Sequence, residues 1–192
     1  MAARVFLLDN IDSFTFNLAQ LFMALGTDVR VERAPVDLKD IAAWSPTHLV
    51  FSPGPMRPDD HPANSELLEK YAGRVPILGV CLGMQAINCW CGGTLRRDKP
   101  PMHGKTSLVR FSAQAPLLMG LPNPFVAARY HSLVVDRLGE GLRETAWTDA
   151  AKAETVMALA HETWPLFGVQ FHPESYLTPE GGRLLEAFLS WR

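Results

Sequence analysis

The sequence is short of cysteine, of long apolar runs and of charge of either sign in excess. Its 192 residues hold three cysteines, Cys81, Cys89 and Cys91. An odd, small number does not suit a disulfide framework, so a reducing cytoplasm is the expected setting and any special cysteine is expected to be chemical. No apolar run approaches the roughly 18 residues of a membrane span. The N-terminal run Val5-Phe6-Leu7-Leu8 is cut off by Asp9 before it reaches signal-peptide length. Neither a membrane nor export is expected. With 18 Lys and Arg against 20 Asp and Glu the net charge is −2, and no basic run offers the counterion-releasing surface that nucleic acid requires, so a nucleic-acid partner is not expected.

What is present is ordinary globular composition, 47% hydrophobic and 20% charged. A chain of this length buries roughly 70% of its unfolded surface, so a single domain over 1–192 is expected to stand without a disulfide or metal staple. Short apolar runs at 4–8, 29–32, 48–51 and 77–80 read as buried strands. Between them, Phe14, Leu18, Leu21, Phe22 and Leu25 recur at helical spacing up to Gly26; further helices are expected from an Asp37 cap to Trp44, over 64–71, and from Cys81 to Trp90. From Gly93 the pattern turns to shorter strands at 94–97, 106–111, 125–130, 133–136, 155–160 and 166–171, and a last helix is expected with Thr178 as N-cap and Pro179 at its first position. The expected fold class is α/β, a mostly parallel central sheet flanked by helices with a small antiparallel or mixed extension.

The strongest chemical signal is Gly79-Val80-Cys81-Leu82-Gly83 at a strand-to-helix transition. Small flanking residues let the chain turn sharply and lift a nucleophile above the sheet, and a thiol there faces the positive end of a helix. A small buried cysteine in a Gly-flanked strand end is the plainer reading. A cysteine nucleophile needs a base. His172, after a strand ending and followed by Pro173 and Glu174, is the best placed, with Glu174 able to orient it; a merely solvated loop histidine is the alternative. Donors for an oxyanion are the Leu82 N–H and, directly after the third strand, Gly54 in Ser52-Pro53-Gly54-Pro55, a segment whose spacing alone favours an ordinary turn. Cys89 and Cys91 lack the further ligands of a zinc site, and no metal or cofactor is expected. Asp12 or Ser13 is a candidate N-cap for the first helix.

Six ordered motifs then resemble those of the class I glutamine amidotransferases: residues 9–18, Ser52-Pro53-Gly54-Pro55, Gly79-Val80-Cys81-Leu82-Gly83-Met84-Gln85, His103-Gly104-Lys105, Arg129-Tyr130-His131-Ser132-Leu133 and residues 168–175. The branch they are most similar to is the small subunit of anthranilate and aminodeoxychorismate synthases. The resemblance implies that Cys81 attacks the side-chain amide of glutamine, that His172 carries the proton to the leaving ammonia and that Glu174 orients His172. It implies Gly54 and Leu82 as the oxyanion hole, and Gln85, Ser132 and Leu133 as contacts to the α-amino and α-carboxylate groups of glutamine. Met84 stands where the family usually has His, and Met56 where it usually has Gly.

One site leaves no room for a chorismate pocket, so the ammonia is expected to be consumed by a separate chorismate-binding synthase subunit, docked through loops near 9–13, 102–105 and 129–133. A catalytically silent module of the same fold and a thiol hydrolase of γ-glutamyl peptides are the alternatives. The choice between anthranilate and aminodeoxychorismate as product is not encoded in the glutaminase site.

Overall fold

The apolar run at the N-terminus becomes β1 (Arg4–Asp9), and its alternate side chains sort the core into two layers. Val5 and Leu7 join one buried cluster with Leu18, Phe22, Leu184 and Phe188, while Phe6 and Leu8 join another with Ile41, Leu67, Leu68 and Ile87. A strand buried on both faces needs helices on both sides. They are α1 (Thr15–Ala24) and α5 (Gly181–Leu189) on the first face, and α2 (Leu38–Trp44), α3 (Ala63–Tyr71) and α4 (Leu82–Trp90) on the second. The computed structural model describes residues 2–98, 102, 104–148 and 155–192.

β2 (Asp28–Arg33), β1, β3 (His48–Phe51), β4 (Ile77–Val80) and β11 (Leu166–Val169) form a parallel block in that order. β10 (Val156–His161), β9 (Leu142–Thr148), β6 (Lys105–Phe111) and β7 (Phe125–Arg129) continue the same sheet antiparallel, giving nine strands among the described residues. β5 (Thr94–Arg97) and β8 (Leu133–Arg137) make a separate antiparallel pair. The α/β class is as expected. The parallel block with an antiparallel extension is as expected too: four strands carry the extension on the main sheet, and β5 with β8 form the small separate pair.

Local differences have identifiable causes. β9 escapes the sequence reading because Arg143, Glu144 and Thr145 hide its apolar positions, and its ladder with β10 is irregular. β11 ends at Val169, not at 171: the Gln170 N–H turns to Met157 O (2.9 Å) and the His172 N–H to Ala128 O (3.0 Å). Thr178 does not cap α5, which starts only at Gly181, and Pro179 precedes the helix. The Thr178 hydroxyl instead donates to His172 O (2.7 Å) and accepts from Ala128 N (3.0 Å). Neither Asp12 nor Ser13 is the cap of α1, whose cap position is Phe14. Asp9 organises that turn, accepting from the Ile11 and Asp12 N–H groups and the Thr15 hydroxyl. Asp37 caps α2 as expected, accepting from Lys39 N at 2.8 Å. His103 of the His103-Gly104-Lys105 motif lies outside the described residues.

Candidate active site

Cys81 sits between β4 and α4 with φ 53° and ψ −102°. An L-residue held there stores roughly 1–3 kcal/mol of strain and persists only where its surroundings over-determine it. Here the Cys81 N–H donates to Val169 O (2.7 Å) and its carbonyl accepts the Gln85 N–H (3.1 Å). The flanking glycines are required by contact rather than by turn type. A Cβ on Gly79 would lie 2.3 Å from the Gly83 carbonyl carbon, and one on Gly83 would lie 2.5 Å from Phe51 O. Strand and helix therefore touch, and the thiol is presented at the C-terminal edge of the parallel block, where open α/β sheets gather their ligands.

Cys81 opens on a cavity of about 150 Å³ walled by Gly54 to Met56, Gln85 and residues 130–133. His172 stands beside it, with Nδ1 2.6 Å from Glu174 Oε1; the Glu174 side chain is wholly buried and that of His172 nearly so. Burial at this depth lowers an imidazole, but the Glu174 carboxylate and the neighbouring Cys81 thiol outweigh it and hold His172 well above its ordinary 6.5. Nε2 of His172 has no hydrogen-bond partner among the described residues, and neither has Glu174 Oε2. A buried pair left incompletely satisfied is a poor stabiliser, so its presence points to chemistry. The ring is wedged against Tyr130 (centroids 4.9 Å, edge-on) and Phe14 (6.0 Å, edge-on).

The residues expected for the two ends of glutamine are brought together on one wall. The NH2 group of Gln85 is committed to Leu133 O (3.0 Å) and Gln170 Oε1 (3.1 Å), so what Gln85 offers a ligand is its carbonyl acceptor. Gln170, fully buried, also reaches Cys81 Sγ from Nε2 at 3.5 Å. Sequence reading assigns Gln170 no role; a polar residue at the end of an otherwise apolar strand is the signal that could have found it. Ser132 and Leu133 line the cavity, Gly54 faces it from the loop after β3, and Leu82 opens α4 next to the thiol.

The two departures from the family pattern behave differently. Met84 is fully buried in the second core cluster, whereas Met56 is 67% exposed at φ 64° on the rim of the cavity. Cys89 and Cys91 are half-buried; burial pushes both thiols up, Cys91 to about 11 with help from Glu140. Among the described residues no group of three or more His, Cys, Asp or Glu is arranged to hold a metal ion. None of their helices is long and apolar enough to cross a membrane. A larger cavity of about 470 Å³, bordered by Trp90, Cys91, His161 and Trp164, lies at the other edge of the sheet, away from the Cys81 and His172 pair.

A cysteine elbow over an α/β sheet thus stands beside a buried His-Glu pair, and the chain belongs to the class I glutamine amidotransferase family, whose model matches residues 6–191. It is 46% identical to the aminodeoxychorismate synthase component 2 of Escherichia coli over 96% of this chain and 98% of that protein. It is 44% identical to the anthranilate synthase component 2 of Pseudomonas aeruginosa over 95% of this chain and 93% of that protein. The same fold occurs in the crystal structure of a candidate GMP synthase component from Thermoplasma acidophilum, with a TM-score of 0.85, 24% identity, and 98% and 93% of the two chains covered.

Proposed function

We propose that the chain is one glutaminase domain that releases ammonia from glutamine for a chorismate-binding synthase subunit in the cytoplasm. The observation that carries this reading is the buried His172–Glu174 pair, 2.6 Å apart, beside a cysteine held at a strained elbow. Cys81 Sγ attacks the side-chain amide carbon with the proton already held on His172 beside it. Charge builds on the former carbonyl oxygen and is met by the N–H groups of Gly54 and Leu82. His172, an imidazolium steadied by Glu174, hands its proton to the amide nitrogen as the carbon–nitrogen bond breaks. Ammonia departs and a glutamyl thioester remains. Water, deprotonated by His172, then attacks the thioester; glutamate leaves and the thiol is restored. The acceptor oxygen of Gln85 suits the α-ammonium of glutamine, with Ser132 and Leu133 at the α-carboxylate end. A cavity of about 150 Å³ suits one amino acid better than a glutamyl peptide.

The rim supports a docked partner. Ile11 is 56% exposed, and Tyr176, close behind Glu174, is 89% exposed. Two large apolar side chains held in water beside a site whose product must be kept from solvent fit a surface that another chain covers. The test is glutamine hydrolysis by the purified chain with and without the synthase subunit. Weak hydrolysis that rises on adding the partner is expected. Equal rates would refute the coupling, and failure of a glutamine-like electrophile to form an adduct at Cys81 would refute the enzymatic reading.

A further inference from the structure

The segment joining β7 to β8 supplies residues 130–132 to the cavity wall without being a strand, and Leu133 opens β8 beside them, so the backbone groups of this wall need partners outside the main sheet. His131 O accepts from Met102 N (3.0 Å), Ser132 O from Asp98 N (2.8 Å) and Leu133 O from Gln85 Nε2 (3.0 Å). Asp98 acts twice. Its Oδ2 also accepts from Arg129 Nη2 (3.1 Å) and lies 3.8 Å from His131 Nδ1. Arg129 directs Nε to His131 Nε2 (3.0 Å) and Nη1 to Ser107 Oγ (3.2 Å). A guanidinium only donates, so His131 Nε2 must accept, which puts the ring proton on Nδ1, toward Asp98.

Arg129 and His131 are buried, and the Asp98 side chain is only 13% exposed. Burial works against the Arg129 charge and Asp98 works for it. Such a pair adds little net stability compared with apolar packing. What a planar fork adds is a fixed direction, and here that direction runs along the wall that ends in Ser132 and Leu133.

We infer that Asp98 and Arg129 are positioning residues for glutamine recognition: they lock His131, and through it the 130–133 wall, against the Cys81 cavity. The inference rests on the glutaminase reading. Substrate affinity then depends on a charged cluster set behind the wall, while the chemistry at the thiol does not.

The experiment is steady-state glutamine hydrolysis by the chain with its synthase subunit present, for wild type, Arg129→Lys and Arg129→Gln. It is run beside the rate of Cys81 alkylation by iodoacetamide, which has no amino-acid backbone to be recognised. Both variants are expected to raise KM about tenfold with kcat changed less than about threefold and alkylation within about twofold, because lysine keeps the charge but not the fork. An unchanged KM, a fall in kcat alone, or a parallel fall in alkylation would overturn the inference. Should the variants fail to fold, nitrogen-15 spectra of wild-type His131 decide: a proton on Nδ1 supports the cluster and one on Nε2 overturns it. A wild type inert toward glutamine refutes the glutaminase reading and this inference with it. An active wild type with unmoved variants refutes the inference alone.

Discussion

Replacing Glu174 by Gln removes one charge and almost no volume, which makes it the sharpest probe of the His172 pair. In the native chain Nδ1 meets Oε1 at 2.6 Å, with the carboxylate fully buried. A hydrogen bond to a charged group contributes about 1.5–3 kcal/mol and a neutral one about 0.5–1.5 kcal/mol, so the amide, which still accepts from Nδ1, loses about 1–2 kcal/mol of orientation. The His172 imidazolium also loses its counter-charge; two unit charges about 4 Å apart interact by about 4 kcal/mol at an effective dielectric near 20, which sets the upper limit. A barrier raised by about 2–4 kcal/mol lowers kcat/KM about 30- to 1,000-fold. The pH profile provides a second readout. Burial lowers His172, and Glu174 is the largest influence opposing it. Without the carboxylate the imidazolium is lost at lower pH, and the limb of the kcat/KM profile that reports it moves down. Stability follows the same sign. A group raised in the folded state stabilises fully below its ordinary 6.5, and that contribution is lost as pH rises through the raised value. The melting temperature of the wild type should therefore fall more steeply than that of Glu174→Gln as pH rises above about 6.5. A loss of activity below about threefold together with an unmoved limb would refute the assignment of Glu174 as the orienting group.

Other expectations are independent of that pair. Limited alkylation followed by peptide mass mapping should find Cys81 modified before Cys89 and Cys91, whose thiols burial pushes up, Cys91 to about 11; equal labelling would contradict the site. Gly181→Ala places a Cβ 1.8 Å from Pro173 O. It should cost about 1–3 kcal/mol in denaturant unfolding and slow glutamine hydrolysis by displacing the His172-Pro173-Glu174 turn. At Met56, with φ 64°, the glycine variant should be more stable than the valine variant by about 1–2 kcal/mol in thermal melts. Ile11→Asp should weaken activation by the synthase subunit while leaving the basal hydrolysis of the isolated chain in place.

Cys81, His172 and Glu174 stood out as candidates before folding because each is announced by its neighbours. A nucleophile needs small residues around it, and a rigid Pro between His and Glu keeps them on one turn. The parallel strands were legible for a similar reason, since burial on both faces leaves runs such as Ile77 to Val80 without polar residues. β9 was not, because its polar positions carry no such mark. Thr178 reads as a helix cap in sequence because Ser and Thr hydroxyls serve caps and loop clasps alike, and only the approach of Ala128 selects the second use.

The sequence by itself determined the fold class, because strand and helix periodicity is local; its six ordered motifs carried the resemblance to the family, and it put forward Cys81, His172 and Glu174 as the candidate reacting groups. Only the tertiary structure decided which long-range polar partners complete the site: Gln170 between Gln85 and Cys81, and Asp98 and Arg129 behind His131. Apart from Arg129 on His131, two residues away, these contacts join segments far apart in the chain, and their energies come from burial and direction. Neither exists until the sheet has brought the segments together.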